Sequence, residues 1–188
     1  MSTNKKILAG LIAVIVVAVI YLGGSYNSLV QAENEVDASW AQVESQLQRR
    51  YDLIPNLVNS VQGAMDNEQE IFTAIADARA GVTSAETVEE SIEANQQLDT
   101  AVNSLMVSVE DYPELTSNAN VTALMDELAG TENRIATERG RFNEVVRSYN
   151  NKVESFPTSI FANLSGFDER PYFEAEEGTE QAPTVDFD

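Results

Sequence analysis

The sequence predicts an all-α protein: one N-terminal transmembrane helix, then an antiparallel bundle of three to four long helices. Three observations carry this. Residues 7–22 are unbroken apolar sequence, the apolar residues beyond residue 35 recur at alternating steps of four and three, and turns containing proline or glycine cut that pattern into a few long segments.

The apolar run reads ILAGLIAVIVVAVIYL, and Gly23 and Gly24 extend it to residues 7–24. At about 1.5 Å per residue, a helix of this length crosses a hydrocarbon core of about 30 Å, and no charge inside the run opposes insertion. Lys5 and Lys6 precede the span, whereas Glu33, Glu35, Asp37 and Glu44 all pass before Arg49, the first basic residue after it. Basic residues stay on the cytoplasmic side. Residues 1–6 are therefore read as cytoplasmic, 7–24 as a single-pass signal anchor in the cell membrane, and the rest as extracytoplasmic. The competing reading is a cleaved signal peptide, which needs a core of only about 7–15 residues and a small-residue cleavage site; Leu22 and Gly24 match that site poorly. The chain has no cysteine, which excludes a lipoprotein anchor and disulfides, so an extracytoplasmic domain must be held by packing.

Residues 25–177 are enough for one helical domain with a sizeable core, and 178–188 read as an acidic, disordered tail. Formal charge is −20, and becomes −22 once Lys5 and Lys6 are set aside, because no acid precedes Glu33. Such a surface repels phosphate, which argues against nucleic acid and against a second, electrostatic membrane contact. Beyond the span the sole lysine is Lys152. Adaptation to high salt, as in halophiles, explains this balance better than a cation-binding surface, since the carboxylates do not cluster at metal-ligand spacing.

From Val36 the coiled-coil-like spacing runs Val36, Trp40, Val43, Leu47, Ile54, Leu57, Val61, Met65, and continues through Phe72, Ile75 and Val82. Pro55 and Gly63 weaken this segment, so a kinked helix and two stacked helices both fit, with Asp66 and Gln69 offering a capping box for a second piece. Gly81 closes it. Thr87 and Glu90 form a capping box ahead of Val88, Ile92, Leu98, Val102, Leu105 and Val109, and Tyr112-Pro113 stops that helix. Asn120 is expected to cap a third long helix with the seam Val121, Leu124, Leu128, Ile135, Phe142, Val145, Tyr149, Val153 and Phe156, ended by Pro157. Ile160, Phe161, Leu164, Phe167, Tyr172 and Phe173 make residues 158–177 too apolar for a free tail, so this segment is expected to dock on the bundle.

Tyr26-Asn27-Ser28-Leu29-Val30 and Arg49-Arg50-Tyr51-Asp52-Leu53-Ile54-Pro55-Asn56-Leu57-Val58 strongly resemble the LemA family. Tyr112-Pro113, Thr131-Glu132-Asn133-Arg134-Ile135, Phe142-Asn143, Tyr149-Asn150, Phe156-Pro157, Gly166-Phe167 and Tyr172-Phe173-Glu174 extend the likeness over nearly the whole chain, in the family's order. The resemblance implies one N-terminal membrane helix followed by an antiparallel bundle. It implies no established activity: relatives are tied to bacterial membrane-compartment formation or are encoded near membrane proteases.

Without histidine or cysteine, the usual nucleophilic triads, thiolate catalysis and imidazole metal sites are closed to this chain. Carboxylate pairs such as Glu89/Glu90 and Glu176/Glu177 read as solvated surface, and no EF-hand loop appears. No cofactor is expected. The informative polar residues lie on the apolar seam, where the spacing puts Arg50 between Leu47 and Ile54, and Glu138 between Ile135 and Phe142. A buried charge requires a partner, so Arg50 and Glu138 are expected to meet, with Asp52, Asn56, Glu132, Asn133 or Arg134 as alternatives. A register-setting polar layer is the favoured role over a ligand or partner site. Pro55 marks a kink, and Trp40 is read as core rather than lipid anchor.

The expected function is that of a non-enzymatic, membrane-anchored bundle that scaffolds other envelope proteins and is able to self-assemble. The alternatives are a membrane-remodelling oligomer and a carboxylate- or metal-dependent enzyme. The charge balance yields a direct test: a soluble fragment from near Gln31 should melt at rising temperature as salt screens its self-repulsion, and a flat or falling midpoint would favour a specific cation site.

Overall fold

The computed structural model describes residues 3–65 and 67–173. It is all-α, with α1 Thr3–Val61, α2 Gln69–Ser84, α3 Val88–Glu110, α4 Pro113–Thr116, α5 Ala119–Glu154 and α6 Thr158–Ser165, and no strand among the described residues. Asp66, the proposed capping residue, and residues 174–188, which hold the end of the docked segment and the expected tail, lie outside the described residues.

The helix α1 is one unit of 59 residues, about 90 Å long, that carries the apolar span directly into the bundle. Within the span Leu11, Ile12, Ile15, Val16, Val17 and Ile20 are exposed, with no protein covering them. This is a helix near the N-terminus long and apolar enough to cross a membrane. The core begins only five residues past Gly24, at the fully buried Leu29. A soluble fragment therefore has to start ahead of Leu29, nearer Ser25 than Gln31.

The most extensive contact joins α1 to α5. The Trp40 and Phe142 rings meet edge-on at 5.5 Å, and Arg50 bonds Glu132 at 3.1 Å. These two contacts lie ten residues apart on each helix in opposite directions, which makes the pair antiparallel and sets its register. Carried along both seams, that register puts Leu29 level with Val153, Val36 with Val146, Leu47 with Ile135, Ile54 with Leu128, and Val61 with Val121; all ten are buried. Buried positions thus repeat every seven residues on both helices, as in a coiled-coil seam.

The helices α2 and α3 are shorter and pair with each other over the half of the bundle away from the span. The bundle is thus built on two long helices, α1 and α5, with the shorter α2–α3 hairpin packed against them. The chain leaves α1 at Val61 and re-enters helix at Gln69, so the open choice at residues 62–66 resolves as two helices; α1 itself runs through Pro55. Glu68 precedes α2 without a side-chain cap bond. Gly81 lies inside α2 rather than closing it. The Thr87–Glu90 capping box forms as read, and Pro113 opens α4 after α3 has stopped. At α5 the cap is Asn118, whose side chain accepts from the Asn120 N–H, so Asn120 is the capped residue rather than the cap.

The segment after α6 turns back along α5 in an extended path. Gly166, at φ 77°, ends α6 in the left-handed region that glycine adopts without a Cβ penalty. Two asparagine amides then hold the returning backbone. Asn150 donates to the Arg170 carbonyl and accepts from the Arg170 N–H, both at 2.9 Å, and Asn143 does the same with Phe173. Each amide stands in for one rung of strand pairing. Arg170 adds a bond to Glu33 of α1 at 2.9 Å, and Phe167 and Phe173 enter the core. Docking is selective: Ile160 and Leu164, expected to join it, stay exposed, as does Phe156 at the end of the expected seam.

Trp40 packs here half-buried against the core, with the Phe142 ring edge-on at 5.5 Å and the Phe173 ring stacked at 5.8 Å, the two phenyl rings themselves 5.7 Å apart. Phe173→Ala should cost about 3 kcal/mol and shift the emission of the sole tryptophan to the red as water reaches it. Unchanged emission and an unchanged urea midpoint would show that the returning segment does not hold the core.

Candidate functional site: a buried charge layer

Hydrophobic residues in the bundle form two clusters. One contains Ile54, Leu98 and Leu128, and the other, nearer the span, contains Leu47, Ile92 and Ile135. Each of three helices crosses from one cluster to the other through polar residues. On α1 the crossing residue is Arg50, on α3 Asn95 and on α5 Glu132, with Asp99 one residue past Leu98 on α3 and Arg139 four residues past Ile135 on α5.

The Arg50 side chain is 2% exposed and Asp99 is 7% exposed. Arg50 pairs with Asp99, bonds Glu132 Oε2 at 3.1 Å and donates to Asn95 Oδ1 at 2.9 Å. Asp99 Oδ2 accepts from Arg139 at 2.9 Å, and Arg139 lies 5.0 Å from the centre of the Phe173 ring. Asn95 is in turn fixed by its donation to the Ser91 carbonyl at 2.8 Å. Two guanidinium groups thus face two carboxylates, and formal charge within the layer cancels. Burial pushes the Arg50 guanidinium below its ordinary value, the Glu132 charge opposes that shift, and Arg139 adds to it.

Arg50 and Glu132 come together among the residues singled out from sequence. Glu138 does not join them. It accepts from Arg141 at 2.7 Å, three residues along its own helix, while its neighbour Arg139 is the residue that reaches Asp99. The seam keeps one order of steps through 128, 132, 135, 139, 142, 146, 149 and 153; reversing that order between Ile135 and Phe142 selects Glu138 over Arg139. The same reversal selects Val145 over Val146, which is the buried one. Asp52 is exposed and accepts from Gln48, Asn56 donates to the Asp52 carbonyl, and Asn133 bonds the Ala129 carbonyl. Arg134 is exposed. Asn95 and Asp99 were missed. Asn95 fills the six-residue gap between Ile92 and Leu98, and Asp99 lies beside Leu98 at a position the apolar stripe alone does not mark.

Beside the layer is a recess of about 270 Å³, lined by Arg50, Asp99, Met106, Leu128, Glu132 and Asn133. It is smaller than the roughly 300–1,000 Å³ of common small-molecule sites. The layer offers charge and hydrogen bonds, with the Ser91 hydroxyl 3.5 Å from the Asn95 amide, but no thiol or imidazole for covalent chemistry. Among the described residues no group of three or more His, Cys, Asp or Glu is placed to hold a metal ion. What the arrangement does is lock α1, α3 and α5 at one height, because any slip strands a buried charge.

Arg50→Met and Asp99→Leu should each lose about 3–5 kcal/mol, since each leaves a buried charge without its partner. Because Asp99 serves two arginines, the pair of substitutions should recover only part of the loss, and adding Arg139→Met should recover most of it. Glu138→Leu should stay within about 1 kcal/mol, because its partner Arg141 is exposed and solvent screens the half-buried pair. Urea unfolding of the set decides the matter: additive losses would mean that these side chains do not share one site.

The LemA family profile matches residues 39–187, a stretch that includes the whole charge layer. Magnetosome protein MamQ 2 of Paramagnetospirillum magneticum is 26% identical over 175 residues, covering 79% of this chain and 64% of its own length. Magnetosome protein MamQ of Magnetospirillum gryphiswaldense is likewise 26% identical over 174 residues, with the same two shares. Protein LemA of Metamycoplasma hominis is 23% identical over 140 residues, covering 74% of this chain and 64% of its own length. The chain thus spans just under two thirds of the length of these relatives. On the family match, which takes in well over half of its residues, this protein belongs to the LemA family.

Proposed function

We propose that this LemA protein is a non-enzymatic scaffold of the cell envelope, anchored in the membrane by α1 with residues 1–6 in the cytoplasm and the bundle outside. The observation that carries the reading is the continuity of α1. One helix serves as membrane span and as core strut, so the bundle is presented at a set height to neighbouring membrane proteins. Lys5 and Lys6 ahead of the span support the topology. The non-enzymatic reading draws support from the absence of His and Cys in the chain and from the occupation of the buried acid Asp99 by two arginines.

A second reading is a membrane-remodelling oligomer. The magnetosome proteins among the relatives favour it, and long rods fixed in a bilayer can align side by side. A photo-reactive residue at exposed Arg134 or Glu144, cross-linked in native membranes and analysed by mass spectrometry, separates the two. Adducts to one envelope protein in stoichiometric amount are the expected result. Adducts only between copies of this chain would overturn the scaffold reading and favour the oligomer.

A further inference from the structure

The end of the bundle nearest the span carries an exposed apolar stripe that the membrane-anchored scaffold does not use. Phe156 and Leu164 are each 82% exposed and Ile160 is 60% exposed. Ile160 and Leu164 lie one turn apart on a single face of α6, and Phe156 continues their four-residue spacing ahead of the helix. The opposite face is the packed one: Ala162 is fully buried, and the Tyr26 ring of α1 meets Phe161 at 6.1 Å and Phe167 at 5.8 Å.

The height of this stripe is set by its neighbours. A recess at the α5–α6 junction is lined by Ile20, Tyr21 and Gly24 of the span together with Lys152, Ser155 and Thr158. Thus α6 starts beside the last turns of the apolar run. Charge follows the same geography. In a chain of net charge −20, residues 155–167 contain no charged side chain, and neither do residues 7–32; Lys152, the sole lysine beyond the span, sits between them. Residues 155–167 and 7–32 thus lack the acids that would repel headgroups.

We infer that α6, with Phe156, lies in the membrane interface, its Phe156–Ile160–Leu164 stripe inserted among lipid headgroups and upper acyl chains as a second, apolar contact with the bilayer that α1 crosses. This rests on the membrane-spanning reading of α1, whose span ends at the level of the stripe. Interfacial helices bury such a face about 5–10 Å into the headgroup and acyl boundary. A span alone leaves the bundle free to rotate and tilt, whereas a second contact beside it fixes both.

The absence of cysteine makes the test clean. Val17→Cys, Ile160→Cys, Leu164→Cys and Val107→Cys variants of the full chain are labelled singly with an environment-sensitive fluorophore. They are reconstituted into phosphatidylcholine–phosphatidylglycerol vesicles containing, in separate samples, lipids with a shallow or a deep nitroxide quencher in both leaflets, the shallow one reporting on 160 and 164 and the deep one on 17. Val107 is exposed on α3, in the half of the bundle away from the span. Lipid quenching of at least two-fold is expected at 160 and 164, as at 17, with none at 107. If 17 is quenched and 160 and 164 behave like 107, the interfacial contact is wrong and the span stands. If 160 and 164 are shielded from aqueous iodide yet not quenched by lipid, another protein surface covers the stripe and the inference also fails. An unquenched 17 would remove the span and this inference together.

Discussion

The guanidinium of Arg50 is a full charge inside the bundle, and the rest of the architecture is arranged around holding it. No single helix can do so. Asp99 and Asn95 come from α3 and Glu132 from α5, so the requirement is met only when three helices stand at one height. The apolar clusters on either side supply most of the driving force, but apolar contacts tolerate a slip of one heptad in a seam that repeats every seven residues. The charge layer does not. A slip by one repeat would move Arg50 about 10 Å from its partners and leave it in hydrocarbon.

That constraint is transmitted along α1 in both directions. Toward the membrane, an uninterrupted helix joins Arg50 to Gly24 over about 39 Å, so the position of the layer and the depth of the span are coupled. Across the bundle, Arg139 links Asp99 to the Phe173 ring, where the returning C-terminal segment is held by Asn143. The segment Arg49–Leu57 shows how densely one helix can be used. Arg49 reaches Glu127 on α5, Arg50 enters the layer, Tyr51 meets Thr83 and Arg79 on α2, and Ile54 and Leu57 fill the core. Successive residues 100° apart point to successive neighbours, while Asp52 and Asn56 face solvent and bond within α1.

Much of this was legible in the residues because helical periodicity is a local signal. Val36 to Val61 declared the α1 seam, Thr87 and Glu90 the start of α3, and Pro113 the end of it. Arg50 stood out because an apolar stripe passed through it. Its partners were harder, for two physical reasons. Steps of three and four both keep a residue near the seam, so a single helix leaves Glu138 and Arg139 nearly equivalent until the facing helix chooses between them. Pairing between helices is also long-range, and nothing local ties α3 to α1. Asparagine amides acting as strand rungs for residues 170 and 173 have no periodic signature at all, since what they recognise is backbone.

The two surfaces of the bundle constrain how copies of it can meet. Its flanks carry most of the acids, whereas residues 155–167, at the end nearest the apolar run, carry none, so side-by-side association brings like charge together while contact at that end does so far less. At about 0.15 M salt the screening length is roughly 8 Å, comparable to the reach of a side chain, and the flanks still repel at contact distance; at about 1 M it is near 3 Å and the repulsion is local. Lateral assembly through the flanks is therefore tied to ionic strength, or to a partner that brings positive charge. Scaffold and oligomer thus differ in what must neutralise the flank: a basic envelope protein in the first case, and concentrated salt in the second.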